Sequence, residues 1–289
     1  MDAMTRIEQA LAAAVASTEA PGCPPRLAAA LRYAVFPRGA RIRPRLCLAV
    51  AAACGEDDPA LTEAAAAAIE ILHCASLVHD DLPCFDNAPI RRGKPSVHRA
   101  FGERLAVLAG DAMIVLAFEV LARAGETLPQ RLAGLLLTVG RSVGMPSGIV
   151  AGQAWECEPR LDLEDYQRAK TGSLFAAASM AGAQSAGVEP EPWRLLGARL
   201  GEAFQVADDL RDVAADPVEL GKPVGQDALL GRRSAVADLG IEGAIARLES
   251  LVTEAVDSIP ACPGRAELQA LLVSESRAFL PKELARIAA

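Results

Sequence analysis

The chain has 289 residues, of which 52% are apolar and only 4% aromatic, so a large core is possible and Ala-rich, closely packed helices are favoured over sheets. A formal net charge of -8 argues against nucleic acid as a partner. Seven cysteines, an odd count with no C-x-x-C pair, fit neither a disulfide framework nor a zinc site and read as buried free thiols in a reducing cytosol. Pro and Gly are scattered singly and no low-complexity tract interrupts the chain, so residues 1–289 are expected to form a single domain.

In chain order, Met1 to Ser17 carries Ile7, Leu11, Ala14 and Val15 as one stripe and reads as an amphipathic helix, not a signal peptide. Pro24-Pro25 and Pro44 sit where helices open, and Gly55 where one closes. Ala60 to Asp81, Ala106 to Arg123 and Gln130 to Val143 follow as helices, and Asp162 with Asp165 reads as the cap of one running toward Gly187. Trp193 to Asp212 is helical, and Ile241, Ile245, Leu248, Val252 and Val256 form a last stripe. About ten to twelve helices nearly exhaust the chain, and sustained period-two alternation is absent, so the fold is expected to be all-α. The longest uncharged run, Ser173 to Val188, falls short of the ~18 residues of a membrane span, so a soluble, cytoplasmic protein without stable membrane insertion is expected.

Two acidic clusters stand out, Asp80-Asp81-Leu82-Pro83-Cys84-Phe85-Asp86 and Asp208-Asp209-Leu210-Arg211-Asp212, each closing an Ala-rich helical stretch. On a helix Asp208 and Asp212 share a face. Pro83 and the wider spacing in the first cluster suggest that the helix ends there and Asp86 swings back toward Asp80. Carboxylates gathered on apolar helices repel one another unless a cation sits between them. Mg²⁺ is the natural candidate, since it takes oxygen ligands and is held by one or two carboxylates plus substrate phosphates.

Cations collect beside these acids. Arg91-Arg92-Gly93-Lys94-Pro95 follows the first cluster, Lys170-Thr171-Gly172 lies between the two, and Lys222, Asp227 and Arg232 follow the second. Arg38-Gly39-Ala40-Arg41-Ile42-Arg43-Pro44 adds a further basic patch. Guanidinium forks beside a turn suit a diphosphate, and no nucleotide P-loop occurs. Read alone, His79 and His98 are structural, Trp155 and Trp193 are packing residues, and Phe204 belongs to the core.

Together the stretches Ala40-Arg41-Ile42-Arg43-Pro44, Ala75-Ser76-Leu77-Val78-His79-Asp80-Asp81, Arg91-Arg92-Gly93-Lys94-Pro95 and Phe204-Gln205-Val206-Ala207-Asp208-Asp209 resemble the trans-isoprenyl diphosphate synthases, and among them the bacterial carotenoid-type geranylgeranyl diphosphate synthases. The resemblance implies a helical bundle around a deep cavity, a homodimer, and head-to-tail condensation of isopentenyl diphosphate with dimethylallyl, geranyl or farnesyl diphosphate. It implies that Asp80 and Asp86 bind two Mg²⁺ and Asp208 a third, with Asp81, Asp209, Asp212 and Asp227 holding bound water or the groups around the metals. Arg91, Lys170, Lys222 and Arg232 would then hold the allylic diphosphate, and Arg43, His73 and Arg92 isopentenyl diphosphate. Gln205, Thr171 and the Lys170 carbonyl would stabilise carbocation charge. The family's usual Lys is Ala40 here, and Arg38 and Arg41 are the two candidates to replace it.

In that family the side chain five residues before the first Asp often floors the cavity, and here it is Ala75, followed down the helix by Leu72 and Ile71. Met113, Ala117 and Phe118 on the next helix could share that floor. One isoprene unit adds about 5 Å, close to the ~5.4 Å helical turn, so a small residue implies one unit beyond fifteen carbons, a C20 product. Farnesyl diphosphate synthase is the nearest alternative, and a non-catalytic partner subunit another. Intact Asp clusters weigh against the subunit, and Asp208-Asp209-Leu210-Arg211-Asp212 is not the second metal motif of a cyclase.

Overall fold

The computed structural model describes residues 1–36, 39–159, 166–214 and 234–276, and they fall into two compact units. One comprises Met1–Gly140 with Ala181–Glu189, the other Arg141–Met180 with the residues from Pro190 on. Twelve α-helices account for most of the described residues, and the only described strands are a two-residue pair, so the all-α expectation holds.

The first unit is built on α4 (Pro59–Asp80), which buries residues on every face, among them Ala64–Ala68, Ile69, Ile71, Leu72 and Ala75. A helix apolar all round belongs in a core, and its alanines let neighbours approach closely. Asp58 caps it, accepting from the Leu61 N–H at 2.9 Å, with Pro59 at the first helical position. α1 (Ala3–Ser17), α2 (Pro25–Val35), α3 (Ile42–Ala53), α5 (Val97–Phe101) and α6 (Glu103–Ala124) complete this unit together with most of α7 (Pro129–Val143). α1 buries the predicted Ile7, Leu11, Ala14 and Val15. Arg6 ties it to Glu56 and Glu63, both at 2.7 Å. Pro25 opens α2 and the left-handed Gly55 follows α3, as expected, whereas Pro44 is the third residue of α3 rather than its first.

The second unit holds α8 (Ile149–Trp155), a π-helical turn (Arg168–Gly172), α9 (Ser173–Ser185) up to Met180, α10 (Arg194–Ala214), α11 (Ala235–Asp257) and α12 (Arg265–Ser276). The cap proposed at Asp162 and Asp165 lies outside the described residues. The C-terminal stripe is corrected in phase: α11 buries Ala244, Ile245, Leu248, Leu251 and Ala255, while Ile241 is exposed. Gly240, at φ 71°, breaks the helical path just before this stripe.

One further expectation needs correction. Cys84 and Cys157 are exposed, although Cys47, Cys54 and Cys74 are buried, and all seven thiols are free. Among the described residues two helical stretches, Pro59–Asp80 and Glu103–Thr127, are long and apolar enough to cross a membrane by length and composition alone; 78% of the apolar window of the first is buried and 39% of that of the second.

Candidate functional site

In the first unit the site grows from the C-terminus of α4. The helix ends at Asp80, and the following loop turns back so that the Asp86 N–H donates to the Asp80 carbonyl at 2.9 Å. Leu82 anchors the loop, buried and accepting from the N–H groups of Phe85 and Asn87. The predicted swing of Asp86 toward Asp80 is therefore present in the backbone. Asp81, only 2% exposed, instead faces inward and accepts Arg91 Nη2 at 2.6 Å and Nε at 3.0 Å. Burial raises the pKa of Asp81 while its bond to Arg91 pulls the other way. Burial also opposes the Arg91 charge, but the bond to Asp81 and the nearby Asp80 and Asp86 hold its pKa above the usual arginine value.

Arg91 and Arg92 stand on a hairpin, β1 (Ile90–Arg91) paired with β2 (Lys94–Pro95), whose turn residues Arg92 and Gly93 have φ of 52° and 75°. Two left-handed residues give the turn that suits a tight hairpin. Lys94 reaches back to the end of α2, donating to the carbonyls of Tyr33 and Phe36, with its ammonium 3.6 Å from the Tyr33 ring centre. Asp81, Arg91, Arg92 and Lys94 line one small cavity with Tyr33 and Cys74.

Around Arg92 lies a cluster of cations. Arg43 is buried on α3, and burial lowers its pKa to about 10, against the favourable charge of Glu70. His73 is half-buried one turn beyond Glu70, and burial, then Arg43 and Arg92, push its pKa well below the usual histidine value. Arg41 does not fill the place of the missing Lys: its guanidinium is fully buried and donates to Glu8 at 2.9 Å, Glu70 at 2.7 Å and the Val35 carbonyl at 2.9 Å. Arg38 lies outside the described residues. Ala40 is exposed. Ala75, Leu72 and Ile71 are buried along α4, and Met113 and Ala117 along α6. His79 bonds the Val107 carbonyl of α6 at 3.2 Å, and His98 is buried beside Ser96, so both are packing residues as read.

In the second unit a glycine stripe sets the geometry. Gly197, Gly201 and Gln205 repeat every four residues on one face of α10. A Cβ at Gly197 would lie 2.3 Å from the Phe175 carbonyl oxygen, and one at Gly201 2.9 Å from the Gly172 Cα. The missing side chains bring α10 against α9 and the π turn, and one turn on Gln205 Oε1 accepts the Thr171 hydroxyl at 3.1 Å. Gln205 Nε2 in turn donates to Asp209 at 3.0 Å, and Asp209 also accepts the Ala235 N–H at 2.7 Å. Thr171, Gln205 and Asp209 are thus one hydrogen-bonded chain. Lys170 stands in the π turn, a local widening that often marks functional sites, and pairs with Glu156 at 2.7 Å. Asp212 is buried and Asp208 half-buried, 3.4 Å from Arg211. Trp193 is core, while Phe204 is half-exposed and tilts against Phe175. Lys222, Asp227 and Arg232 lie outside the described residues.

The residues missed by sequence reasoning are Glu70, Glu156 and the two glycines. A lone acid inside the apolar run of α4 was the available signal for Glu70, and the G-x-x-x-G spacing for Gly197 and Gly201. Among the described residues no three His, Cys, Asp or Glu side chains are close enough to hold a metal unaided. A donor set completed by substrate phosphates and water suits Mg²⁺, and the fold-back of Asp86 onto Asp80 fits it.

The polyprenyl synthetase family profile matches residues 24–265. The chain is 56% identical to the geranylgeranyl diphosphate synthase of Cereibacter sphaeroides over 280 residues, covering 97% of each, and 55% identical to that of Rhodobacter capsulatus over 263 residues, covering 91% of each. Its fold is similar to a Helicobacter pylori geranyltransferase solved with magnesium and isoprenyl diphosphate, with a TM-score of 0.78 and 30% identity over 95% of this chain and 97% of that one.

Proposed function

From the premise that the chain belongs to the polyprenyl synthetase family, we infer a prenyltransferase that condenses isopentenyl diphosphate with an allylic diphosphate to geranylgeranyl diphosphate. The observation that carries this is the 56% identity over nearly the whole chain to a geranylgeranyl diphosphate synthase. We further propose that residues 1–289 work as one synthase domain, since the family match runs through residues of both units.

Asp80 and Asp86 are the proposed ligands of two Mg²⁺ and Asp208 of a third, with Asp81, Asp209, Asp212 and Asp227 holding bound water or the groups around the metals. Bound Mg²⁺ would neutralise the diphosphate oxygens and make diphosphate a better leaving group. Arg91, Lys170, Lys222 and Arg232 hold the allylic diphosphate; Arg91 keeps its orientation through Asp81, and Lys170 exchanges Glu156 for phosphate oxygens. Arg43, His73 and Arg92 hold isopentenyl diphosphate. Ionisation of the allylic C–O bond leaves an allylic cation, whose charge the Gln205 and Thr171 oxygens and the Lys170 carbonyl stabilise. Attack by the isopentenyl double bond forms the C–C bond, and the departed diphosphate takes the proton. Apolar walls keep water from the cation.

Ala75 supports a C20 product, because a small buried residue there leaves room for a longer chain. A homodimer fits the exposed apolar stripe Val107, Leu108 and Val115 on α6, which a second copy would cover. The cytoplasm as its place of work fits the seven free thiols, and carotenoid synthesis as the use of its product rests on the resemblance. The test is incubation with Mg²⁺, isopentenyl diphosphate and farnesyl diphosphate, with products resolved by length. A C20 diphosphate is expected; a stop at fifteen carbons from geranyl diphosphate, or no elongation from any allylic starter, would overturn the assignment.

A further inference from the structure

Arg92 belongs to a long, flexible side-chain type, yet here its guanidinium is bracketed. On one side stands α4: Glu70, 2% exposed, lies 3.7 Å from Arg92 Nη2, and Cys74 Sγ lies 3.9 Å from Nη1. On the other side is the backbone of Gly39: a Cβ there would lie 2.9 Å from Arg92 Cζ and 3.0 Å from Nε and Nη2, so the guanidinium rests where a side chain at this position would be. Glu70 is itself fixed, because it accepts Arg41 Nη1 at 2.7 Å, and Arg41 is tied by Glu8 and the Val35 carbonyl. The side chain leaves the hairpin turn from a left-handed residue, φ 52° at Arg92. Glu70 also favours the charges of Arg41 and Arg43 beside it.

We propose that Gly39 and Glu70 are positioning residues for Arg92, presetting its guanidinium for the diphosphate of isopentenyl diphosphate. Gly39 supplies the space and Glu70 the charge. A preset cation spends less freedom on binding, which matters more in a chain whose basic motif has Ala40 in place of a further cation. Neither residue touches the reacting carbons, so the effect falls on isopentenyl binding. The inference rests on the assignment of Arg92 to that substrate.

The experiment is steady-state kinetics with isopentenyl diphosphate varied at saturating farnesyl diphosphate, and the reverse, for Gly39→Ala, Glu70→Gln and Arg92→Gln, with thermal unfolding recorded for each. Gly39→Ala adds one methyl at a partly exposed site and leaves the buried pairs of Arg41 with Glu8 and Glu70 in place, so it reports positioning even where Glu70→Gln impairs folding. Gly39→Ala is expected to raise the KM for isopentenyl diphosphate about tenfold, with kcat within about twofold and the allylic KM unchanged. Glu70→Gln is expected to act in the same direction. If Arg92→Gln raises that KM but Gly39→Ala leaves it unchanged, or Glu70→Gln only lowers the unfolding temperature, the positioning role is overturned while the substrate assignment stands. If Arg92→Gln also leaves it unchanged, the substrate assignment falls and the proposal with it.

Discussion

The Asp86 N–H donates to the carbonyl of Asp80 at 2.9 Å, which folds the loop after α4 back onto the helix end that carries the first carboxylate. The backbones of Asp80 and Asp86 are therefore brought together, and Asp81, between them in sequence, is set apart by its buried bond to Arg91. Asp80→Asn and Asp86→Asn are each expected to lower kcat about 10²–10³-fold, the scale of losing one preorganised electrostatic contact. Asp81→Asn should also release Arg91 and raise the KM for the allylic substrate. Kinetics at graded Mg²⁺ concentrations separate these effects: the first two variants should need more Mg²⁺, and an unchanged Mg²⁺ dependence would exclude them as ligands.

Arg41 and Ala40 are adjacent in sequence but opposite in consequence. Arg41 is fully buried between Glu8 and Glu70, so Arg41→Ala strands Glu70 without its main partner and is expected to cost about 3–5 kcal/mol of stability. Ala40 is exposed, and Ala40→Lys adds a cation beside the proposed isopentenyl site without disturbing the core. Its expected effect is a fall of about tenfold in the KM for isopentenyl diphosphate, the value of one charge-assisted hydrogen bond. Denaturant unfolding of the first variant and kinetics of the second check the pair; a mild Arg41→Ala or an Ala40→Lys with unchanged KM would contradict it.

The helices were legible because their apolar periodicity is local: Ile7, Leu11, Ala14 and Val15 lie on one side of α1 whatever the rest of the chain does. The phase of α11 was misread because its buried face includes Ala244 and Ala255, whose small side chains weigh little in a periodicity beside Ile241, Val252 and Val256. Of the site, the fold-back of Asp86 could be read from Pro83 and the spacing. The pairing of Arg41 with Glu70 could not, since it joins residues far apart in sequence through a guanidinium that looked available. Likewise the contact of Thr171 with Gln205 depends on Gly197 and Gly201 lacking side chains, which has meaning only once α10 and α9 are packed.

His73 gives a pH prediction whose sign follows from its surroundings. Burial and the neighbouring guanidinium groups of Arg43 and Arg92 push its pKa well below 6.5, so the folded protein keeps it neutral. The unfolded chain takes up a proton near the ordinary histidine pKa. Below about pH 6.5 the unfolded state therefore binds the additional proton, and stability falls by up to about 1.4 kcal/mol for each further pH unit until the folded-state pKa is reached. His98, also lowered by burial, adds in the same direction. Unfolding curves between about pH 7.5 and 5.5 for the protein and for His73→Gln test this. The variant should lose less stability on acidification, and parallel curves would show that His73 is not held neutral.

Ala75 tests the chain-length assignment. It is 2% exposed on α4, one helical turn from Leu72 and Ile71, which are equally enclosed. A phenol at this position fills the depth of about one turn, ~5.4 Å, close to the length of one isoprene unit. Ala75→Tyr is therefore expected to stop the product at fifteen carbons, with the rate of earlier additions little changed because the carboxylates and cations are untouched. Leu72→Ala in the native background should instead let longer products appear, at a cost of about 2–5 kcal/mol for the cavity it opens. Product chromatography from geranyl diphosphate reads both. If Ala75→Tyr still gives the same product length as the native enzyme, the floor lies elsewhere, and Met113 and Ala117 on α6 become the residues to change.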